Sequence, residues 1–238
     1  MINNRINTLI SKFNKYNIDG YIIPKNDEFF SEYSANDRLK TISNFSGSAG
    51  YSIILKKKNY LFVDGRYTIQ AKKEAGKNFQ VIDLHRINNC NLLKNLSIGF
   101  DPKLFTSTQI KRFFFKNNKV KSIESNLIDQ IHKDKVKSSK PFFSLKNKIV
   151  GEDYKSKIMK IRKYLTKNKS DYLFITAPEN IAWLLNIRGH DNPNSPIPNC
   201  HLIIDNKNSF YLITYKNKVS KLIKEKKLKS NQIIEPKN

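Results

Sequence analysis

Metal-assisted hydrolysis needs several imidazoles, thiolates or carboxylates converging on one ion, and this chain offers few candidates. Its four histidines, His85, His132, His190 and His201, are scattered. None stands four residues from another, the spacing that puts two imidazoles on one helix face, and none neighbours a cysteine at zinc spacing. His190-Asp191 is an adjacent imidazole–carboxylate pair, but adjacent side chains point apart in a helix or strand. No metal ligands are expected. Nucleophilic chemistry has equally little support. Ser46-Gly47-Ser48-Ala49-Gly50 surrounds serines with small residues, yet it is neither a GxSxG elbow nor a phosphate loop with GK[ST]. Its glycines read as a tight entry into the strand that follows. Cys90 and Cys200 form no CxxC and no disulfide framework, so both read as buried thiols of a reducing compartment.

Arginine is scarce beside lysine, which makes Arg38, Arg66 and Arg188 stand out. A guanidinium offers a permanently charged fork that fits a carboxylate with two hydrogen bonds. That suits either a substrate carboxylate or an internal aspartate. Structural pairs outnumber functional ones, so an internal clamp is the first reading for each.

The elements that would position these residues follow from periodicity. Ile2, Ile6, Leu9, Ile10 and Phe13 predict an amphipathic helix over residues 1–16, broken at Asp19-Gly20. Tyr21–Ile23 reads as a short buried strand and Asn26–Arg38 as a loop. Tyr51–Leu55 and Tyr60–Val63 predict a hairpin. A helix over Arg66–Ala75 should end at Gly76. Strands are predicted at Phe79–Leu84 and Leu96–Phe100, a helix at Ile110–Phe115 behind the cap Thr106-Ser107-Thr108, and a short helix at Asn126–Ile131. Near Lys135–Lys148, lysine, serine and Pro141 interrupt the apolar period, which predicts a linker at 135–150 between domains at 1–134 and 151–238. The order of elements then restarts: helix Tyr154–Leu165, strand Tyr172–Ile175, helix Pro178–Leu185 opened by proline, hairpin His201–Ile204 with Phe210–Ile213, helix Val219–Leu228, and an apolar stub Ile233-Ile234. Alternating helices and strands predict α/β architecture in each half, the second half incomplete.

Hydrophobic residues make up 39% of the chain and aromatics 11%, enough for a folded core and against disorder. The formal net charge of +24 could serve a nucleic acid or an anionic membrane. The lysines, however, are dispersed in runs such as Lys56-Lys57-Lys58, with no RNA-recognition, helix-turn-helix or zinc-finger pattern, so they read as solvated surface. No apolar run reaches membrane-spanning length and no signal peptide is apparent. The expected address is cytoplasmic, with no membrane or nucleic-acid partner.

Five segments, in order, resemble the aminopeptidase P family. Ser43-Asn44-Phe45-Ser46-Gly47-Ser48-Ala49-Gly50 is similar to its glycine-serine segment. Asp64-Gly65-Arg66-Tyr67-Thr68-Ile69-Gln70-Ala71 matches the next, and Gly99-Phe100-Asp101-Pro102 and Asn126–Ile131 continue the series. Glu179-Asn180-Ile181-Ala182-Trp183-Leu184-Leu185-Asn186-Ile187-Arg188-Gly189-His190-Asp191 is the most specific, extended by Pro193, Ser195 and Pro196, and is typical of the cytosolic three-domain type. One departure is His132, where relatives often carry Trp. The resemblance implies the non-catalytic N-terminal part of a Xaa-Pro aminopeptidase, a metallopeptidase that removes the residue ahead of a proline. It implies two creatinase N-terminal-like domains, each a mixed sheet flanked by helices. It also implies a homodimer, peptides with proline second, and two manganese ions in a separate catalytic domain whose Asp, His and Glu ligands no segment here matches. Arg66 would reach toward bound substrate, with an ion pair to Asp64 as the alternative. Trp183 and Arg188 would serve packing and domain contact. Such a chain would be truncated and inactive alone. A stand-alone dimerisation or peptide-binding module and a basic nucleic-acid binder remain the alternatives.

Overall fold

Apolar residues at helical spacing put Ile6 and Leu9 on the inner face of α1 (Ile2–Ile10), and Phe13 continues that face in α2 (Phe13–Tyr16). The single helix expected over 1–16 is therefore two. Ser11 turns its hydroxyl back to the Thr8 carbonyl (2.8 Å) and the Lys12 N–H bonds only three residues back to Leu9, so the turn tightens there. This computed structural model describes residues 2–89, 93–114, 118–132 and 140–236. They fall into two compact units, Met1–Lys135 and Val136–Asn238.

The first unit continues with β1 (Gly20–Pro24), α3 (Arg38–Ser43), β2 (Gly50–Leu55), β3 (Asn59–Val63), α4 (Thr68–Ala75), β4 (Gln80–Asp83), β5 (Ser97–Phe100), α5 (Ser107–Phe114), β6 (Lys119–Ser122) and α6 (Leu127–Ile131). The sheet order is β4-β3-β2-β1-β5-β6. β1, β2 and β3 pair antiparallel, while β3–β4, β1–β5 and β5–β6 are parallel, so the sheet is mixed. Side chains alternate across it. Tyr21, Ile23, Ile54, Leu61 and Val63 face a core built with Leu9, Phe13, Leu39, Ile42, Ala71 and Leu127 from the helices. Ile22, Ile53, Tyr60, Phe62 and Ile98 face a second core under Leu104, Phe105 and Ile110. Each fully buried aliphatic contributes roughly 1.5–3 kcal/mol. The predicted hairpin is β2–β3, and α4 ends where Gly76 takes φ +61°, a conformation glycine adopts without penalty.

In the first unit two of these elements escaped prediction. β6 is Lys-Val-Lys-Ser with all four residues exposed, an edge strand whose lysines erase the apolar alternation. α3 starts at the last residue of the expected Asn26–Arg38 loop. Asp37 caps it by accepting the Lys40 N–H at 2.9 Å.

The second unit holds β7 (Phe143–Ser144), α7 (Asn147–Val150), α8 (Tyr154–Lys167), β8 (Tyr172–Ile175), α9 (Pro178–Leu185), β9 (Ile187–Arg188), β10 (His201–Asp205), β11 (Phe210–Ile213), α10 (Lys216–Lys224) and β12 (Ile233–Ile234). Four strands form the sheet β12-β11-β10-β8, and β7 pairs separately with β9. Of the stretch 135–150 read as linker, residues 135–139 lie outside those described. Phe142 is fully buried in the second core and Phe143 pairs with Arg188, so that part is integral to the unit. The stub Ile233-Ile234 is a strand parallel to β11.

Candidate functional site

The first two family-like segments meet on one surface of the first unit. β3 ends at Val63, and Asp64 caps a short 3-10 turn, Gly65–Tyr67. Its Oδ1 accepts the Arg66 N–H at 3.0 Å and the Arg66 Nε–H at 2.8 Å. The Arg66 side chain is 73% exposed and its guanidinium stands 5.5 Å from the Tyr67 ring centre. Arg66 thus pairs with Asp64, the expected alternative, and among the described residues its two terminal nitrogens make no hydrogen bond. That pairing holds the Asp64 carboxyl below the usual carboxylate range. Tyr67 ties the turn to the glycine-serine segment: its hydroxyl lies 3.0 Å from Ser48 Oγ, and its ring meets Phe45 edge-on at 5.8 Å. From α4, Glu74 accepts the Ser46 N–H and hydroxyl, both at 2.7 Å, and Gln70 donates to Ser46 Oγ at 2.9 Å. Gly47 lies flat on the Phe45 ring, where an added Cβ would come within 2.2 Å of Cζ. Sequence reasoning missed Gln70 and Glu74. The four-residue spacing of two polar side chains on a helix was the available signal.

Arg38 is an internal clamp. Its side chain is only 6% exposed, and Nε and Nη2 grip Asp129 of α6 at 2.8 and 2.9 Å, with Glu28 at 2.5 Å from Nη2. Burial favours the neutral form, yet the two carboxylates outweigh it and hold the guanidinium charged. The Gly99–Pro102 and Asn126–Ile131 segments also join: Asn126 donates to Asp101 at 2.9 Å and accepts the Ile128 N–H at 2.9 Å. Burial pushes the Asp101 carboxyl above its usual range, against the pull of Asn126 and the Lys103 N–H.

In the second unit, Arg188 Nη1 donates to the Ala182 carbonyl at 2.9 Å, closing the end of α9. Trp183 corrects the sequence reading: it is 60% exposed, not core. The inward face of α9 is taken by Ile181, Leu184 and Leu185, which leaves position 183 on the outside. The buried Lys157 lies under it, Nζ 4.1 Å from the ring centre, donating to the Trp183 carbonyl and to Asn186 Oδ1 at 2.7 Å each. Asn186 ends the helix in the left-handed region at φ 54°. Gly189 is needed for space, since a Cβ would fall 2.7 Å from Pro198 Cα. Asp191 pairs with Lys218.

His190 packs on Phe143 and His201 on Phe174. Burial lowers the His201 imidazole below its usual value and pushes the Cys200 thiol up, leaving the latter unreactive. Cys90 lies outside the described residues. Among the described residues no three His, Cys, Asp or Glu side chains gather where they could hold a metal ion.

Two mixed α/β units follow one another along the chain. Residues 5–131 and 132–238 each match the family described as the creatinase/prolidase N-terminal domain, and the chain belongs to that family. It is 31% identical over 203 residues to a probable Xaa-Pro aminopeptidase P of Coprinopsis cinerea, covering 77% of this chain and 32% of that protein. It is 33% identical over 211 residues to a probable Xaa-Pro aminopeptidase P of Laccaria bicolor, covering 81% of this chain and 33% of that one. The chain thus spans about a third of the length of these relatives. The crystal structure of a Caenorhabditis elegans X-prolyl aminopeptidase, described as a cytosolic enzyme with a di-nuclear active site, shares the fold. The TM-score is 0.87 at 24% identity, over 99% of this chain and 42% of that one. Among the described residues no helix is long and apolar enough to cross a membrane.

Proposed function

We propose that this chain acts as the non-catalytic N-terminal part of a cytoplasmic Xaa-Pro aminopeptidase. In that role it shapes the channel by which a peptide with proline at its second position reaches a separate catalytic domain, and it contributes homodimer contacts. The observation that carries the reading is positional: the two N-terminal domain matches follow one another along the chain, and together they account for a third of each relative. The two metal ions and the hydroxide chemistry they supply belong to that other domain. Arg66 supports a substrate contact through its geometry. Asp64 and the Tyr67 ring fix its stem, and its terminal fork projects into solvent, where it can meet a peptide carboxylate or carbonyl.

The purified chain, supplied with manganese and a Xaa-Pro peptide, is expected to show no turnover above buffer; measurable turnover overturns the proposal. The role of Arg66 is tested in a chimera in which this chain replaces the matching third of the Coprinopsis cinerea protein. Arg66→Ala should raise KM more than it lowers kcat. Unchanged kinetics would remove Arg66 from the substrate path. Light scattering on the same chimera reports the homodimer.

A further inference from the structure

Residues one turn apart share a face of α8. Ile158, Ile161 and Leu165 form its inward face and pack with the second core. The neighbouring face carries Lys155, Met159, Arg162, Lys163 and Lys167, and together with the turn between β10 and β11 it bounds an open groove of about 790 Å³. That is the size range of ligand sites. The floor is apolar: Ile158 and Phe210 are 3% and 7% exposed, and Tyr154 joins them with its hydroxyl spent on the Lys227 carbonyl at 3.3 Å. Lys207 stands on the wall made by the turn. Asp205 fixes that turn, its Oδ1 accepting the Lys207 and Ser209 N–H groups at 3.1 and 2.8 Å.

The charge in this groove is unbalanced. Lys155, Arg162, Lys163, Lys167 and Lys207 make no ion pair among the described residues, and no acidic side chain lines the groove beside them. The carboxylates nearest along the chain are spent elsewhere. Glu152 pairs with Lys160 at 2.7 Å, and Asp153 caps α8 by accepting the Lys155 N–H at 2.8 Å. Asp171 accepts from the Asn206 amide at 3.3 Å, and Asp205 serves its own turn. The lysines of α10 behave differently: Lys216, Lys218 and Lys221 each have a carboxylate partner. Arg162 is the sharpest case. Its Nε is buried and makes no hydrogen bond among the described residues, a costly state for a charged donor.

We propose that this groove binds an extended acidic segment of a partner protein, in which glutamate or aspartate alternates with apolar residues. Lys155 to Lys167 spans ~18 Å of helix, the reach of about six residues of extended chain. Alternate side chains of such a chain point opposite ways. The apolar ones settle on Ile158, Met159 and Phe210, and the carboxylates rise to the cations, whose aliphatic stems line the walls. A carboxylate beside α8 gives Arg162 Nε the acceptor it lacks. A nucleic acid fits less well, because bases need exposed aromatic faces to stack on. Phe210 is almost wholly buried and the Tyr154 ring is already taken by Lys227, 5.4 Å from its centre. The site lies wholly within the second unit and is independent of the peptidase reading.

The test is fluorescence anisotropy of a labelled peptide of alternating glutamate and leucine, about six residues long, titrated with the 238-residue chain at about 0.15 M salt. Saturable binding is expected. Lys163→Gln combined with Lys207→Gln, both at exposed positions, should weaken it roughly tenfold with the far-UV circular dichroism unchanged. Arg162→Gln should also weaken it. Lys57→Gln combined with Lys58→Gln removes the same charge from an exposed turn of the first unit and should leave the affinity as it is. Absence of saturable binding overturns the proposal, and so does an equal loss from the Lys57 and Lys58 changes. A glutamate–serine peptide that binds as tightly overturns it too, since the apolar floor then takes no part. Oligothymidylate that binds more tightly than the peptide, and loses affinity with the Lys163 and Lys207 changes, assigns the groove to a nucleic acid instead.

Discussion

Arg38 and Arg66 carry the same guanidinium and stand in similar Asp-containing contexts, yet their surroundings give them opposite roles. Arg38 is buried against Asp129 and Glu28, so Arg38→Ala would remove the buried guanidinium that both carboxylates share. That change should cost roughly 3 kcal/mol, read as a lower urea midpoint at unchanged m-value. Arg66→Ala, at an exposed pair, should leave the midpoint where it is. Scarcity made both arginines visible in the sequence, but burial decided between them, and Asp129, which takes two of Arg38's hydrogen bonds, is 91 residues away, beyond the reach of any local pattern. Glu74 gives a pH-dependent case. Burial alone would raise its carboxyl, but the Ser46 N–H and hydroxyl and the Gln70 amide outweigh burial and hold it below the usual range. A depressed carboxylate contributes stability in full above its unfolded value and loses it as pH falls through its folded value. Glu74→Gln should therefore lower the Tm at neutral pH, by an amount corresponding to about 0.5–1 kcal/mol. The gap to the unsubstituted protein should close as acid protonates Glu74. A gap that stays constant down to acid pH would show that the carboxylate charge plays no part in holding the Ser46 turn.

At the scale of elements, α9 shows where sequence patterns inform and where they mislead. Its start at Pro178 and its end after Leu185 were legible, because proline favours the first turn and Asn186 tolerates the left-handed end. Which residue faced inward was not legible. Ile181, Ala182, Trp183, Leu184 and Leu185 are apolar all round, so the helical period vanishes and the largest side chain looks like core. Only the packing against the sheet shows that the inward arc passes through 181, 184 and 185. Leu184→Ala should thus cost roughly 2–5 kcal/mol. Trp183→Ala should cost far less, and in the native protein the single tryptophan should be readily quenched by acrylamide. Strong protection from the quencher would place Trp183 under cover. The same logic explains β6: the hairpin β2–β3 is buried on both faces and shows in the sequence as two continuous apolar runs, whereas an exposed Lys-Val-Lys-Ser edge bonded to β5 leaves no apolar trace.

At the scale of the molecule, the repeated order of elements read from the sequence proves to be a repeated pairing scheme, but the repetition stops at the sheet's covering. The first unit buries both faces of its central strands β1, β2 and β3, whereas the second buries one face of its four-stranded sheet. Burial of apolar surface is the main favourable term in folding, and a sheet with one face in water gains less of it per ordered residue. The two cores of the first unit draw every residue from Met1–Lys135, so that fragment should fold by itself, with a cooperative urea transition and the far-UV signature of a mixed sheet. The second unit should be the less stable. In the whole chain, exchange of the β8 and β10 amides should overtake that of β1 and β2 at a lower urea concentration, as followed by mass spectrometry. If the β8–β10 amides instead outlast those of β1–β2, the open face is not a weakness of the second unit, and what stabilises its sheet must come from the helical side alone.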